Sequence, residues 1–293
     1  MFEGLGQNLV FGILVGALYG LVALGLSLVF GVTKFLNVAH GELLMFGGYA
    51  TFWAFSLLDL DPFLTIPITI LFLFLIGALL YKFIFSRTVK LPEETKIKNT
   101  LLVAFGLSVI LQNLALRFWT ADDRSVTADY ASVSFTFMDI RFPLVRLISL
   151  GVAILFLVGL QLFLRKTFTG KAIRATVQNW EAASLMGIDI HKVYLLSFAL
   201  GAALAGVAGT LVTVNYSIQP AMGLGWTMKA LIVMVLGGLG NIPGTFIGGL
   251  ILGVTESATS FFISSNYREV AGLVLFILVL ILRAQGIIKT KEG

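Results

Sequence analysis

Asn37-Val38-Ala39-His40-Gly41-Glu42 places an amide, an imidazole and a carboxylate in one short run between two apolar stretches. A helix starting there would expose free backbone N–H groups and set polar side chains at its mouth. Asn37 is suited to be its N-cap, and Gly41 permits close approach or an unusual backbone angle. Two readings follow. The run is a gate or part of a solute path, or it is a cap and turn at the cytoplasmic face with His40 and Glu42 solvated. Spacing alone favours the second.

A second run, Gly237-Gly238-Leu239-Gly240-Asn241-Ile242-Pro243-Gly244, leads into Gly248 and Gly249. It cannot be uninterrupted helix, because Pro243 lacks an N–H and glycine is a poor helix former. In lipid, the freed backbone groups need protein or a water-filled cavity. Discontinuous helices at solute sites have this character, which makes Asn241, Pro243 and Gly244 candidates for the path. Beyond them, Glu256 falls in the middle of an apolar run. A carboxylate at bilayer depth has to be paired, solvated or protonated. Lys229, near the start of the preceding run, is expected to snorkel to the outer interface.

A third constellation is polar. Gly170-Lys171-Ala172-Ile173-Arg174-Ala175 is followed by Asn179-Trp180-Glu181-Ala182-Ala183-Ser184-Leu185-Met186-Gly187. Glu181 to Leu185 favours helix, and Gly187 is placed to end it. Such a helix suits docking into a partner's groove, or it lies flat on the membrane interface.

These runs sit in a chain that is 58% hydrophobic and 12% charged, with mean hydropathy +0.99. Soluble domains are about 45–50% apolar and about 25% charged, so the remaining apolar surface must face lipid. Cysteine is absent, which excludes disulfides and thiol sites, and two histidines, His40 and His191, do not make a histidine-rich metal site. The net charge of +5 reflects basic residues retained in cytoplasmic loops rather than nucleic-acid binding. No G-x-x-x-x-G-K-[ST] phosphate loop is present, so any ATP is hydrolysed on another chain. Glu3 precedes the first basic residue, Lys34, which is not a signal-peptide pattern, and the first span is expected to stay in the mature protein.

The predicted fold is an all-α polytopic membrane helix bundle with a single domain over residues 1–293. A span needs about 20 mostly apolar residues. Leu9–Val32, Pro62–Phe85, Thr100–Phe118, Leu147–Leu164 and Val193–Val212 meet that directly. Gly41–Leu58 is marginal, Trp226–Ile263 is broken at Asn241–Gly244, and Val270–Leu282 is short. Eight or nine segments result, with broken or re-entrant glycine-rich helices. Lys82, Arg87, Lys90, Lys96 and Lys98 form one basic group. Arg165, Lys166, Lys171, Arg174 and Lys192 form a second, and Arg283, Lys289 and Lys291 a third. All fall on one side, which the positive-inside rule makes cytoplasmic. Trp119 to Phe142, with four aspartates, is then external, and so is the N-terminus. Gly12, Gly16 and Gly20 repeat every four residues, as small residues do where helix backbones pack closely.

Asn37 to Glu42, Gly170 to Gly187, and Leu236 to Gly244 with Gly248 to Gly253 and Glu256 together resemble the branched-chain amino acid ABC permease family. The likeness is to the shorter, LivH-type subunit, and runs in order over nearly the whole chain. Glu181-Ala182-Ala183 with Gly187 also resembles the coupling motif by which importer permeases engage their ATPases, without its usual downstream Leu-Pro. The resemblance implies a cytoplasmic coupling loop at 165–192 and an importer in a prokaryotic inner membrane. Its partners would be a second homologous permease, two cytoplasmic ATPases carrying the ATP, and an extracytoplasmic solute-binding protein. Branched-chain amino acids are the default solute, with urea and short amides carried by similar permeases. An ion-coupled secondary transporter has similar composition, but Glu256 with Glu42 is a thin relay. An intramembrane enzyme is disfavoured, since no Gly-x-Ser-x-Gly is present and both histidines are expected at cytoplasmic edges.

Overall fold

The longest apolar run folds as α1 (Phe2–Thr33), and the computed structural model describes residues 2–88, 93–137 and 139–282. After α1 come α2 (His40–Leu58), a 3₁₀ turn Pro62–Thr65, and α3 (Ile66–Leu80), which runs on through a π-helical turn into α4 (Ser86–Thr88). α5 (Glu93–Trp119) returns to the other side. A two-stranded antiparallel hairpin follows, β1 (Ser134–Phe137) with β2 (Ile140–Pro143), paired Ser134 to Pro143 and Phe137 to Ile140. Then come α6 (Leu144–Lys166), α7 (Phe168–Gln178), α8 (Trp180–Leu185), α9 (Ile190–Asn215), α10 (Gly223–Gly237), α11 (Ile242–Phe262) and α12 (Arg268–Leu282). Lys90, Arg283, Lys289 and Lys291 lie outside the described residues.

Among the described residues, eight helical stretches are long and apolar enough to cross a membrane, and the chain is a multi-pass membrane protein. α2 is not one of the eight. The apolar windows of α1 and α9 are 78% and 83% buried, whereas that of α12 is 11% buried, so α1 and α9 form the centre and α12 the rim.

The glycine spacing explains why α1 sits at the centre. α1 packs against α11 along its whole length and antiparallel to it. Gly12 faces Gly253 and Val254, Gly16 faces Gly249 and Leu250, and Gly20 faces Phe246. A Cβ on Gly16 would lie 2.7 Å from the Gly249 carbonyl oxygen, so no side chain fits between the two backbones. α9 is enclosed in the same manner, with Gly206 and Gly209 against α2 and α3. There, buried hydroxyls join the helices: Thr51 Oγ1 lies 2.8 Å and Thr69 Oγ1 3.3 Å from Thr210 Oγ1, and Thr65 Oγ1 donates to Thr51 at 3.2 Å.

The two ends of the bundle separate the charges as expected. Arg165, Lys166 and Lys192 sit at the adjoining ends of α6 and α9, and Lys96 and Lys98 in the first turns of α5. Lys82 is within the π-helical turn that extends α3, rather than in a loop. At the opposite end, the start of α1 is tied to the hairpin: Gln7 Nε2 donates to Arg141 O at 2.9 Å, and Arg141 N donates to Gln7 Oε1 at 2.7 Å. The Tyr130 hydroxyl donates to Asp61 Oδ2 at 2.5 Å, and burial together with that carboxylate raises its pKa above the ordinary tyrosine value.

Candidate functional site

The Asn37–Glu42 run is not at the cytoplasmic face. After α1 ends at Thr33 the chain turns back alongside it, and the His40 Nε2 lies 2.9 Å from Val22 O. Val22 is about 16 Å short of the end of α1 at 1.5 Å per residue. α2 therefore begins deep within the bundle. His40 and Glu42 are both 1% exposed, so the solvated cap-and-turn reading is wrong. Hydropathy counts apolar length along the chain and does not register a return into the protein. A carbonyl only accepts, so Nε2 of His40 carries the proton. The N-cap position of α2 is Ala39 rather than Asn37; Asn37 Oδ1 accepts from Ala39 N at 3.2 Å and closes the turn before the helix.

α10 starts at the same depth. Gly41 N donates to Thr227 Oγ1 at 2.8 Å, and the Thr227 hydroxyl lies 3.0 Å from Val38 O and 3.1 Å from Gly223 O. Gly41 is required by closeness, because a Cβ there would overlap the Gly223 carbonyl oxygen. Gly223 is required likewise, since a Cβ on it would overlap the Glu42 carboxylate. Ser108 Oγ, from α5, donates to Glu42 Oε1 at 3.1 Å, while Glu42 Oε2 is buried without a hydrogen-bond partner. Two helix N-termini thus converge on one buried carboxylate, placing their free backbone N–H groups around it.

Asn241, Pro243 and Gly244 stand at the other end of α10, about 22 Å from its start. Gly238 and Gly240 have φ of +92° and +79°, and Asn241 N-caps α11 by accepting from Gly244 N at 3.1 Å. Pro243 occupies the first turn, where its missing N–H has no helical partner to lose. Gly31 lies against Gly240, so this break is level with the end of α1. It is a tight helix-to-helix turn at the basic end, separate from the Glu42 junction.

Glu256 is 2% exposed and fully partnered. Tyr19 OH donates to its Oε2 at 2.7 Å, Arg268 Nε to Oε2 at 2.8 Å, and Lys229 Nζ to Oε1 at 3.3 Å. Arg268 Nη2 also donates to Tyr19 OH at 2.8 Å. Lys229 pairs with the buried Glu256 at 3.3 Å and lies 3.7 Å from the exposed Glu269. Without these cations Glu256 would be an expensive unpaired charge. Tyr19 and Arg268 are the participants that the sequence pattern did not single out. Arg268 carried a usable signal, as a cation at the mouth of a short apolar run.

In the 165–192 loop, α7 and α8 are separate helices. Asn179 N-caps α8 by accepting from Ala182 N at 2.9 Å. Gly187, at φ +84°, ends it: Gly187 N donates to Ser184 O at 3.0 Å and Ile188 N to Ala183 O at 3.1 Å, the Schellman pattern. Leu185 and Met186 are 89% and 83% exposed at its tip, while Ala183 is buried beneath. Asp189 then caps α9, and the backbone N–H of Lys192 holds its carboxyl below the ordinary carboxylate range.

Residues 8–282 match the family model described as "Branched-chain amino acid transport system / permease component". The chain is 33% identical to the LivH high-affinity branched-chain amino acid permease protein of Salmonella typhimurium and 30% identical to BraD of Pseudomonas aeruginosa. Each alignment covers 98% of this chain and 96% of the relative. It is also 27% identical to the ribose import permease protein RbsC of Haemophilus influenzae, over 93% of this chain and 83% of that protein. No solved structure matches the chain. The matched role is transport and not enzymatic catalysis. Matched by the family model over residues 8–282 and 33% identical to a family member over 98% of its length, the chain belongs to the family of permease components of branched-chain amino acid transport systems.

Proposed function

We propose that this chain is one membrane subunit of an ATP-driven importer in a prokaryotic cytoplasmic membrane, carrying branched-chain or other neutral amino acids inward. It pairs with a second, homologous permease, receives solute from an extracytoplasmic binding protein and is driven by two cytoplasmic ATPases. The observation that carries this reading is α8: a short, doubly capped helix at the basic end, with Leu185 and Met186 standing into solvent. A stiff element exposing apolar side chains is suited to a groove on a partner, through which two conformations of the bundle can be biased. Glu181, Ala182 and Gly187 share that exposed surface, and the buried Ala183 seats the helix beneath it. The Asn37–Glu42 junction with α10 is the gate, because two helices start there in mid-bundle and Glu42 retains an unused oxygen. The Asn241–Gly244 turn and the Glu256 cluster hold α10 and α11 in place around it.

Similarity to a ribose permease favours one wider reading: the bundle and its coupling are shared across solute classes, and the binding protein sets the solute. The test is Gly187→Leu. At φ +84° a Leu is strained, yet nothing lies within 4 Å of the position, so the bundle itself should fold. The variant should insert normally but lose ATPase co-purification, or retain ATPases that no longer respond to loaded binding protein. Wild-type co-purification, stimulated hydrolysis and uptake would move the docking site elsewhere.

A further inference from the structure

A cleft opens between α1, α6 and the end of α9, apart from the Glu42 junction. It is lined by Leu14, Val15, Leu18, Arg146, Ser149, Asn215 and Tyr216 and has a volume of about 10 Å³, room for about one water-sized sphere. Arg146 contributes its guanidinium, whose Nη1 is buried and has no hydrogen-bond partner. The guanidinium stacks over the Phe11 ring, its carbon 3.6 Å from the ring centroid. The neighbouring polar groups are largely used. Asn215 Nδ2 donates to Ser149 Oγ at 2.9 Å and to Leu211 O at 2.8 Å, and Ser149 Oγ donates to Val145 O at 2.8 Å. The Tyr216 hydroxyl is the second donor left, among the described residues.

The surrounding charges do not balance. Arg268 and Lys229 are taken by Glu256, with Glu269 beside Lys229. Arg146 adds a third cation to these two carboxylates. A guanidinium edge without a protein partner, beside a wall of Leu14, Val15 and Leu18, requires an anion or a well-held water. We propose that this cleft is a binding site for a small monovalent anion of chloride size, held by the Arg146 guanidinium and the Tyr216 hydroxyl. A chloride would restore the local charge balance and fit the one-sphere volume, which a phosphate or an amino-acid carboxylate would exceed. The site is independent of which solute the permease carries.

The test uses the full-length chain with its co-purifying subunits in nanodiscs of neutral lipid. Thermal unfolding is followed while chloride replaces gluconate at constant ionic strength. Wild type should be stabilised saturably by chloride and by bromide, and Arg146→Gln should raise the half-saturating concentration by about tenfold or more. Lys192→Gln, an exposed charge at the far end of the bundle, should leave it unchanged. Should Arg146→Gln fail to fold, bromide-soaked wild-type crystals still decide the matter, with anomalous density expected beside Arg146 and Tyr216. Equal stability in chloride and gluconate, with no bromide density, would overturn the site and leave a water there. Stabilisation only when anionic lipid is added would overturn it too, assigning Arg146 to a headgroup phosphate.

Discussion

Glu256 and Glu42 are both buried carboxylates on helices that flank α10, yet they are treated oppositely. Glu256 accepts from a tyrosine, an arginine and a lysine, on helices braced by the α1–α11 seam. Glu42 accepts from one serine on α5, a helix whose apolar window is only 22% buried, and keeps an oxygen free. Burial alone therefore does not say what a charge is for. A carboxylate with both oxygens engaged pins helices together; one left half-engaged, against a lightly packed helix, is available to respond.

The sharpest way to break this contrast is at Glu256. Glu256→Leu should destabilise the chain by about 3–5 kcal/mol, because Arg268 and Lys229 lose their buried partner. Glu256→Gln, which keeps an acceptor, should fold and assemble much closer to wild type. Thermal unfolding in detergent measures both, and equal losses would mean that shape rather than pairing matters there.

The bracing of the seam can be tested next. Gly249→Ala would push a methyl into the Gly20 backbone and should cost about 1–3 kcal/mol. Gly106→Ala, on α5 with nothing within 4 Å, should be neutral or stabilising by about 0.5–1 kcal/mol. Matching losses in the two variants would erase the distinction between braced and lightly held helices.

At Glu42 the expected stability effect is smaller still. Glu42→Gln and Ser108→Ala should each stay within about 1.5 kcal/mol of wild type, while solute uptake by the assembled transporter falls. Normal uptake in both would remove Glu42 from the gate. The smallest effect is one of access, and the cysteine-free chain makes it clean. A cysteine replacing Ser108 should gain thiol reactivity during ATP turnover, whereas one replacing Ser257 in α11 should stay protected. A cysteine at Ser125 reports orientation, and should label from outside without opening the membrane.

Much of this was legible in the sequence, for identifiable reasons. Glu256 announces itself, since it is the one ionisable residue in the span Ile242–Phe262 and has to be answered. The identity of its partners does not follow, because Tyr19 and Arg268 come from helices at opposite ends of the chain. The pairing of Lys229 is hidden for the same reason: near an apolar run's edge, a cation that meets the interface and one that meets a buried carboxylate look alike in sequence. Gly187 was legible as a local helix stop, and the Gly237–Gly244 break as a necessary interruption. His40 and Glu42 were not, because their depth depends on residues 34–39 returning beside Val22, a tertiary event with no period or composition of its own.

The α1–α11 seam has a mechanical consequence. With backbone against backbone from Gly12 to Gly20, neither helix can rotate or slide past the other without driving main-chain atoms together. The pair has lost its internal degrees of freedom and has to travel as one strut. Any motion that partner subunits impose is then displaced onto the joints around it: the unwound residues 34–39, the Gly238–Asn241 turn, and the rim helices. Stiffness at the centre is what allows a push at α8 to arrive elsewhere undiminished.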